Sequence, residues 1–99
     1  MMKLRINPLV AKDLKSIKDY IAEDNADKAL ETIQEIYSLF ENIQQFPYIG
    51  ADLSKRVSFK TDYKYMVWQD YVVLYKVVKE TVEIYRVVNR YQDITRIFE

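Results

Sequence analysis

In the first half of the chain, apolar residues first alternate with charged ones and then recur every three or four residues. Over 2–6, apolar and charged residues alternate, which predicts a short strand with one buried face. Over 8–23 and again over 26–45, apolar residues recur at steps of three and four, which predicts two amphipathic helices. Because only 24–25 separates the helices, we expect them to form an antiparallel hairpin.

The second half has the composition of strands. Three runs, 63–68, 71–78 and 81–88, are dense in Val, Ile, Tyr and Trp. Two residues separate each run from the next, so an antiparallel meander is expected. The order β-α-α-β-β-β predicts one α+β domain over 1–99, with the helical hairpin packed on a mostly antiparallel, twisted sheet. We expect the other face of this sheet to be open to other macromolecules.

The segments between and after these elements are less regular. Gly50 follows the second helix and is expected to adopt a positive φ. A short strand over 57–59 is one option for a stretch whose pattern is otherwise hard to read. The tail over 93–99 is expected to pack back on the sheet through Ile94, Ile97 or Phe98.

The composition excludes several kinds of site. The 99 residues include no Cys and no His, which excludes disulfides and thiol chemistry and removes the commonest zinc ligands. One glycine is too few for a phosphate-binding loop. We therefore expect no metal and no cofactor. No apolar run is long enough to span a bilayer, so a cytoplasmic location is expected. Zero net charge argues against a purely electrostatic nucleic-acid binder.

Several stretches resemble, in order, the motifs of one toxin superfamily. Residues 8–21 resemble Pro-x-Ala-x-x-Asp-Leu-x-x-Ile-x-x-Tyr-Ile, with one extra residue before the alanine. Residues 47–50 match a Pro-x-x-Gly loop after the second helix, and 63–67, 71–77 and 82–88 resemble the three strands. Over nearly its whole length the chain is similar to the RelE/ParE superfamily of bacterial type II toxin–antitoxin systems, and more to its ParE-like branch.

The resemblance implies a growth-inhibiting toxin that a cognate antitoxin neutralises. RelE-like members cut mRNA in the ribosomal A site, whereas ParE-like members inhibit DNA gyrase and have no known hydrolytic chemistry. Our first hypothesis is ParE-like inhibition of gyrase. The alternative is a RelE-like, ribosome-dependent mRNA endoribonuclease, and a third reading is a toxin fold that has lost its activity and remains a binding module. No membrane and no small-molecule substrate is expected.

Residues for RNA cleavage are only partly present. Metal-free cleavage needs a proton acceptor, a proton donor and cations for the phosphorane charge. By the resemblance, the set would be Lys64, Arg86, Arg90 and Tyr91. The segment 89–93 resembles the family's His-Gly-Arg-Arg-Asp, but asparagine replaces the histidine and glutamine replaces one arginine. These departures favour the gyrase hypothesis.

Arginines near the end of the last strand are the candidates for target binding. Arg86 shares the strand alternation of core residues, so it lies either at a bulge or strand end with its guanidinium reaching water, or in the sheet concavity, poised for a phosphate or carboxylate. Asp93 is expected to pair locally with an arginine. Arg and Tyr are enriched in binding hot spots. The predicted target-binding residues are Arg86, Arg90, Tyr91 and Arg96.

Aromatic residues of the sheet are the candidates for antitoxin binding. Such side chains suit a groove that is wet alone and dry in a complex. Two alternatives are base stacking with single-stranded nucleic acid and ordinary cross-strand pairing. We favour the partner groove over base stacking. The predicted antitoxin contacts are Tyr63, Tyr65, Trp68 and Tyr75.

Overall fold

The computed structural model describes residues 2–92 and 94–98. The prediction for Asp93 therefore lies outside the described residues. The strands are β1 (Lys3–Ile6), β2 (Ala51–Asp52), β3 (Lys64–Trp68), β4 (Tyr71–Val78) and β5 (Thr81–Asn89). The helices are α1 (Pro8–Ala22) and α2 (Ala26–Gln45), and two 3₁₀ segments span Leu53–Lys55 and Ile94–Phe98.

Both helices begin at asparagine caps. The Asn7 side chain accepts a hydrogen bond from the Leu9 N–H at 2.9 Å, and Pro8 occupies the first turn, where its missing N–H costs nothing. Asn25 accepts from the Lys28 N–H at 3.0 Å. These caps confirm the predicted starts and the predicted hairpin. The central residues of both apolar stripes are buried, as the periodicity predicted, whereas Leu30 and Tyr37 at the border of the α2 stripe are about half exposed.

The sheet has five strands in the order β1-β5-β4-β3-β2. The meander of β3, β4 and β5 is antiparallel, as predicted, and β1 lies parallel to β5 at one edge. The sequence analysis missed β2, which pairs antiparallel with Tyr65 and Lys64. It placed a strand instead at 57–59, and that option is wrong: 57–59 forms bends, and Val57 packs toward the sheet.

The main core lies between the helical hairpin and one face of the sheet. Val10, Leu14, Ile36 and Phe40 of the helices meet apolar residues of β4 and β5. The helices confine this core on one side and the central strands on the other. The strand residues that complete this core are Val73, Tyr75, Val82, Ile84 and Val87.

The other face of the sheet is not open, so that expectation is wrong. Val72, Leu74 and Val88 are buried there beneath Leu53 and the carboxy-terminal 3₁₀ segment. The rings of Phe98 and Tyr85 stack at 5.6 Å between centroids. The central strands are apolar on both faces, and a strand of that kind requires cover on both faces. The predicted packing of the tail on the sheet is confirmed.

Crowding, and not its dihedral angle, explains the glycine at position 50. Its φ is not positive, contrary to the expectation. A Cβ built at Gly50 would lie 2.6 Å from the Tyr75 hydroxyl and 2.9 Å from the Tyr65 carbonyl oxygen. Glycine is required here because the loop passes directly over β3 and β4.

Each of two hairpin turns contains a non-glycine residue with a positive φ. Gln69 has φ 53° and Lys79 has φ 55°. An L-residue in this region is strained by roughly 1–2 kcal/mol, whereas glycine is not. We expect Lys79→Gly to raise the free energy of unfolding by about 0.5–1 kcal/mol, after subtracting the extra entropy of unfolded glycine. Thermal unfolding followed by circular dichroism measures this shift.

The adjacent turn residue provides the control. Glu80 does not have a positive φ, so Glu80→Gly gains no relief of strain. It should lower the melting temperature through the entropy of the unfolded glycine. Equal changes in the two variants would show that the turn is not strained at Lys79.

Candidate functional site

A groove of about 380 Å³ separates the second half of α1 from the carboxyl end of β5. Tyr20 and Tyr91 stand at its sides, and both side chains are largely exposed. Arg86 and Asp13 lie in its wall. The remaining lining residues are Ser16, Ile17, Asp70, Tyr71, Val87, Val88, Asn89 and Gln92.

An ion pair between Arg86 and Asp13 joins β5 to α1 in this groove. The Arg86 Nε–H and Nη2–H donate to the two Asp13 carboxylate oxygens, each at 2.8 Å. The hydrogen bond to Asp13 is the main cause that raises the pKa of Arg86. The side chains are only 24% and 10% exposed, respectively. This two-point geometry fixes both partners more firmly than a surface ion pair would.

Asp13 also satisfies a backbone group at the free edge of β5. The strand β1 covers β5 only from Thr81 to Ile84. Beyond that point the Val87 N–H donates to the Asp13 carboxylate at 3.0 Å. One carboxylate therefore completes both the edge of the sheet and the arginine pair.

A β-bulge brings Arg86 to this position. The register of β4 and β5 shifts between Leu74 and Tyr75, whose partners are Arg86 and Ile84. Tyr85 is the extra residue and packs on the far face with Phe98. A bulge was one of the alternatives for Arg86 and is present, but the guanidinium binds Asp13 and does not extend freely into water. Whether Arg86 also contacts a target remains a prediction.

Three tyrosines make the groove a hydrogen-bonding surface. Burial raises the pKa of Tyr71, and the negative charge of Asp70 adds to this rise. The phenol is therefore protonated at neutral pH and available as a donor. Tyr20, Tyr71 and Tyr91 present rings and hydroxyls together, which is typical of protein-binding surfaces. In 2–92 and 94–98 no cluster of carboxylates could hold a metal ion.

Lys64 lies away from this groove. Its ammonium donates to Asp52 at 2.7 Å and lies 5.6 Å from the centre of the Tyr48 ring. Together the hydrogen bond and the charge of Lys64 lower the pKa of Asp52. By strand alternation Lys64 shares a face with Met66 and Trp68, which pack against the helix-side core. The ammonium is thus neutralised locally, at the edge formed by β2 and β3.

The remaining predicted target residues form the carboxy-terminal edge. The Arg90 guanidinium lies 5.7 Å from the centre of the Tyr91 ring and donates to the Gln69 carbonyl oxygen at 3.3 Å. Arg96 is exposed in the last 3₁₀ segment. Of the four residues in the nuclease set, only Arg86 and Tyr91 line the same groove. Lys64 lies elsewhere, and Arg90 contacts the Tyr91 ring from outside the groove, so the four do not converge on one site.

The predicted antitoxin residues divide between the two faces of the sheet. Tyr63 and Tyr65 pack against the far-face cluster, whereas Trp68 packs on the helix side. Tyr75 must be corrected: its side chain is 0% exposed and belongs to the core. Its hydroxyl donates to the Pro47 carbonyl at 3.0 Å and accepts from the Gly50 N–H at 2.8 Å. It cannot contact a partner while the domain is folded.

The sequence analysis proposed no role for Asp13 and Tyr20 of the groove. A signal for Asp13 was available, because it lies three residues after Val10 and four before Ile17, beside the apolar stripe of α1. A carboxylate at the border of a buried face requires a partner. Nothing in the local pattern indicated that this partner lies 73 residues later.

Comparison with known proteins assigns the chain to a family. The family model described as "ParE toxin of type II toxin-antitoxin system, parDE" matches residues 4–94. A chain of the solved "Chromosomal ParDE TA system from P. aeruginosa" is 24% identical, with a TM-score of 0.75, and the match covers 90% of this chain and 96% of that one. No curated protein matches at comparable significance.

Across the described residues, no helix is long and apolar enough to cross a membrane. The paired helices on a mixed five-stranded sheet agree with the fold of the P. aeruginosa chain. The family model covers all of both helices and the five strands except Lys3. The chain belongs to the ParE toxins of type II toxin–antitoxin systems.

Proposed function

We propose that this ParE toxin inhibits DNA gyrase by binding it and does not cleave RNA. One observation carries the proposal: the residues of the nuclease set do not converge, and two of its three cations are paired with carboxylates. Lys64 pairs with Asp52 and Arg86 with Asp13. A cation that is paired in the free protein contributes less to a developing phosphorane charge than a free one does.

The groove beside α1 supports a binding role. It presents three tyrosines around a fixed arginine, and these residue types dominate binding hot spots. Tyr91 is 79% exposed, so it can bury a large ring upon contact with a target. The ion pair of Asp13 and Arg86 holds α1 and β5 in place, which keeps the groove preformed and lowers the entropic cost of binding.

The cognate antitoxin is the second partner that family membership implies. We propose that Tyr63 and Tyr65 remain candidates for its contacts, because both are partly exposed on the far face. Trp68 would contact it only at the outer edge of β3.

Expression in bacterial cells without antitoxin separates the two mechanisms. Gyrase inhibition should induce the DNA-damage response and filamentation while protein synthesis continues. A RelE-like activity would stop protein synthesis at once and leave mRNA cuts at the ribosomal A site, and that result would reject the proposal. Co-expression of the antitoxin should suppress either response.

Substitution of Tyr91 tests the location of the target surface. We expect Tyr91→Ala to weaken gyrase inhibition by roughly tenfold or more, because truncating a hot-spot aromatic costs about 2 kcal/mol. The matched control is Tyr48→Ala, since Tyr48 is 72% exposed but lies outside the groove. Dose–response curves of the purified variants measure both changes. Equal losses for Tyr91→Ala and Tyr48→Ala would show that the surface lies elsewhere.

A further inference from the structure

A second, smaller groove opens on the far face of the sheet. Its volume is about 90 Å³, and Arg56 and Arg90 belong to its lining. Between these arginines the walls are mainly apolar or aromatic. The other lining residues are Leu53, Tyr65, Val67, Val72 and Ile94.

The two arginines differ from the other well-placed cations of this protein. Arg5, Lys64 and Arg86 each have a carboxylate partner. Among residues 2–92 and 94–98, neither Arg56 nor Arg90 has a carboxylate within ion-pair distance. Both guanidiniums therefore bring positive charge to one groove without a carboxylate partner among the described residues.

Weak neutral contacts hold these guanidiniums in place. The Arg56 Nη1–H donates to the Tyr65 hydroxyl at 3.2 Å, and its guanidinium carbon lies 5.4 Å from the centre of that ring. Arg90 donates to the Gln69 carbonyl oxygen at 3.3 Å. Among residues 2–92 and 94–98 these contacts use one donor of each arginine, whereas a guanidinium has five N–H donors.

The size and chemistry of the groove fit one carboxylate side chain. A volume of this order accommodates a few heavy atoms, and the apolar walls suit the aliphatic stem of a glutamate. Nucleic acid fits less well, because it binds through several phosphates along a basic track. Here the net charge of the chain is zero, and only two cations line the groove.

We propose that this groove binds an acidic side chain of the cognate antitoxin, held between Arg56 and Arg90. The carboxylate takes free N–H donors from both arginines, while its stem packs against Leu53 and Ile94. Arg90 also borders Tyr91, so the bound antitoxin covers the edge of the target surface; this consequence, unlike the binding itself, rests on the proposed gyrase inhibition. Antitoxin and target then compete for Arg90.

The test measures affinity between the purified toxin and its purified antitoxin, with no gyrase present. Arg56→Gln and Arg90→Gln should each weaken binding about tenfold, as expected for a lost charge-assisted hydrogen bond. The double variant should lose less than the product of the two, because both arginines bind one carboxylate. Raising the salt concentration to about 0.5 M should weaken wild-type binding more than binding by the double variant.

Lys55→Gln is the matched control, because Lys55 is exposed beside Arg56 but does not line the groove. It should leave the affinity within about twofold of wild type. Thermal unfolding of each variant verifies the fold. Because Arg56 and Arg90 are exposed, their substitution should not change the melting temperature.

Three results would overturn the proposal. The first is unchanged antitoxin affinity in the double variant. The second is losses that multiply fully, which would place the arginines on separate groups. The third is unchanged antitoxin affinity together with lost binding of a short single-stranded RNA, which would assign the groove to nucleic acid. If the toxin does not inhibit gyrase but the arginine variants still lose antitoxin affinity as expected, only the proposed function is rejected.

Discussion

We expect Arg86→Ala to lower the free energy of unfolding by about 2–3 kcal/mol, which corresponds to a drop of roughly 10–20 °C in melting temperature. The substitution leaves the Asp13 carboxylate, which is only 10% exposed, without its cation. A partly buried charge that loses its partner costs more than the intact pair contributes. Chemical denaturation of the purified variant measures the change.

A double-mutant cycle with Asp13→Ala separates the ion pair from its surroundings. Asp13→Ala also removes the acceptor of the Val87 N–H, so it should destabilise at least as much as Arg86→Ala. The double variant should be less unstable than the sum of the two, by about 1 kcal/mol or more. The exposed pair of Lys15 and Asp19 supplies the control, because Lys15→Ala should leave the free energy of unfolding nearly unchanged.

The same variant bears on toxicity. A change of this size reduces the amount of folded toxin in cells, so lost toxicity of Arg86→Ala alone does not identify a target contact. A stability loss below about 0.5 kcal/mol would contradict the structural role of Arg86. Together with lost gyrase inhibition, it would instead support direct contact with the target.

Gly50→Ala is the second substitution with a large expected effect. An added Cβ would lie 2.6 Å from the Tyr75 hydroxyl, 2.8 Å from its Cε1 atom and 2.9 Å from the Tyr65 carbonyl oxygen. Backbone of the sheet and a fully buried ring cannot move away cheaply, so we expect a loss of about 2–3 kcal/mol. Urea denaturation monitored by tryptophan fluorescence measures it.

The loop around Gly50 depends on the same tyrosine. Burial raises the pKa of Tyr75, so its hydroxyl stays protonated and can donate to Pro47 while accepting from Gly50. The control is Ile49→Ala, which truncates a half-exposed neighbour and should cost no more than about 1 kcal/mol. If Gly50→Ala is as mild as this control, the close approach of the loop is not a determinant of stability.

The main elements followed from the sequence because their signals are local. Helical spacing identified α1 and α2, and runs dense in β-branched and aromatic residues identified β3, β4 and β5. The two-residue strand β2 has no such signal, since its place depends on pairing with β3. Length decides the difference: a strand of two residues carries no periodicity.

The sites were harder to predict, because they depend on contacts between distant residues. Arg86 was singled out, but its partner Asp13 belongs to α1. Tyr75 was grouped with Tyr63 and Tyr65 by residue type, although it shares the core-facing side of β4 with Val73. Both faces of β4 are apolar, so the alternation of its residues could not show which face is accessible to a partner. In the structure, the apolar carboxy-terminal tail covers the far face of β4.

Inhibition of purified DNA gyrase by the purified toxin tests the central claim most directly. We predict that the toxin blocks supercoiling and increases cleaved DNA bound to gyrase, that added antitoxin reverses this, and that Tyr91→Ala is weaker than Tyr48→Ala. Normal supercoiling at toxin concentrations that cut ribosome-bound mRNA would contradict the account.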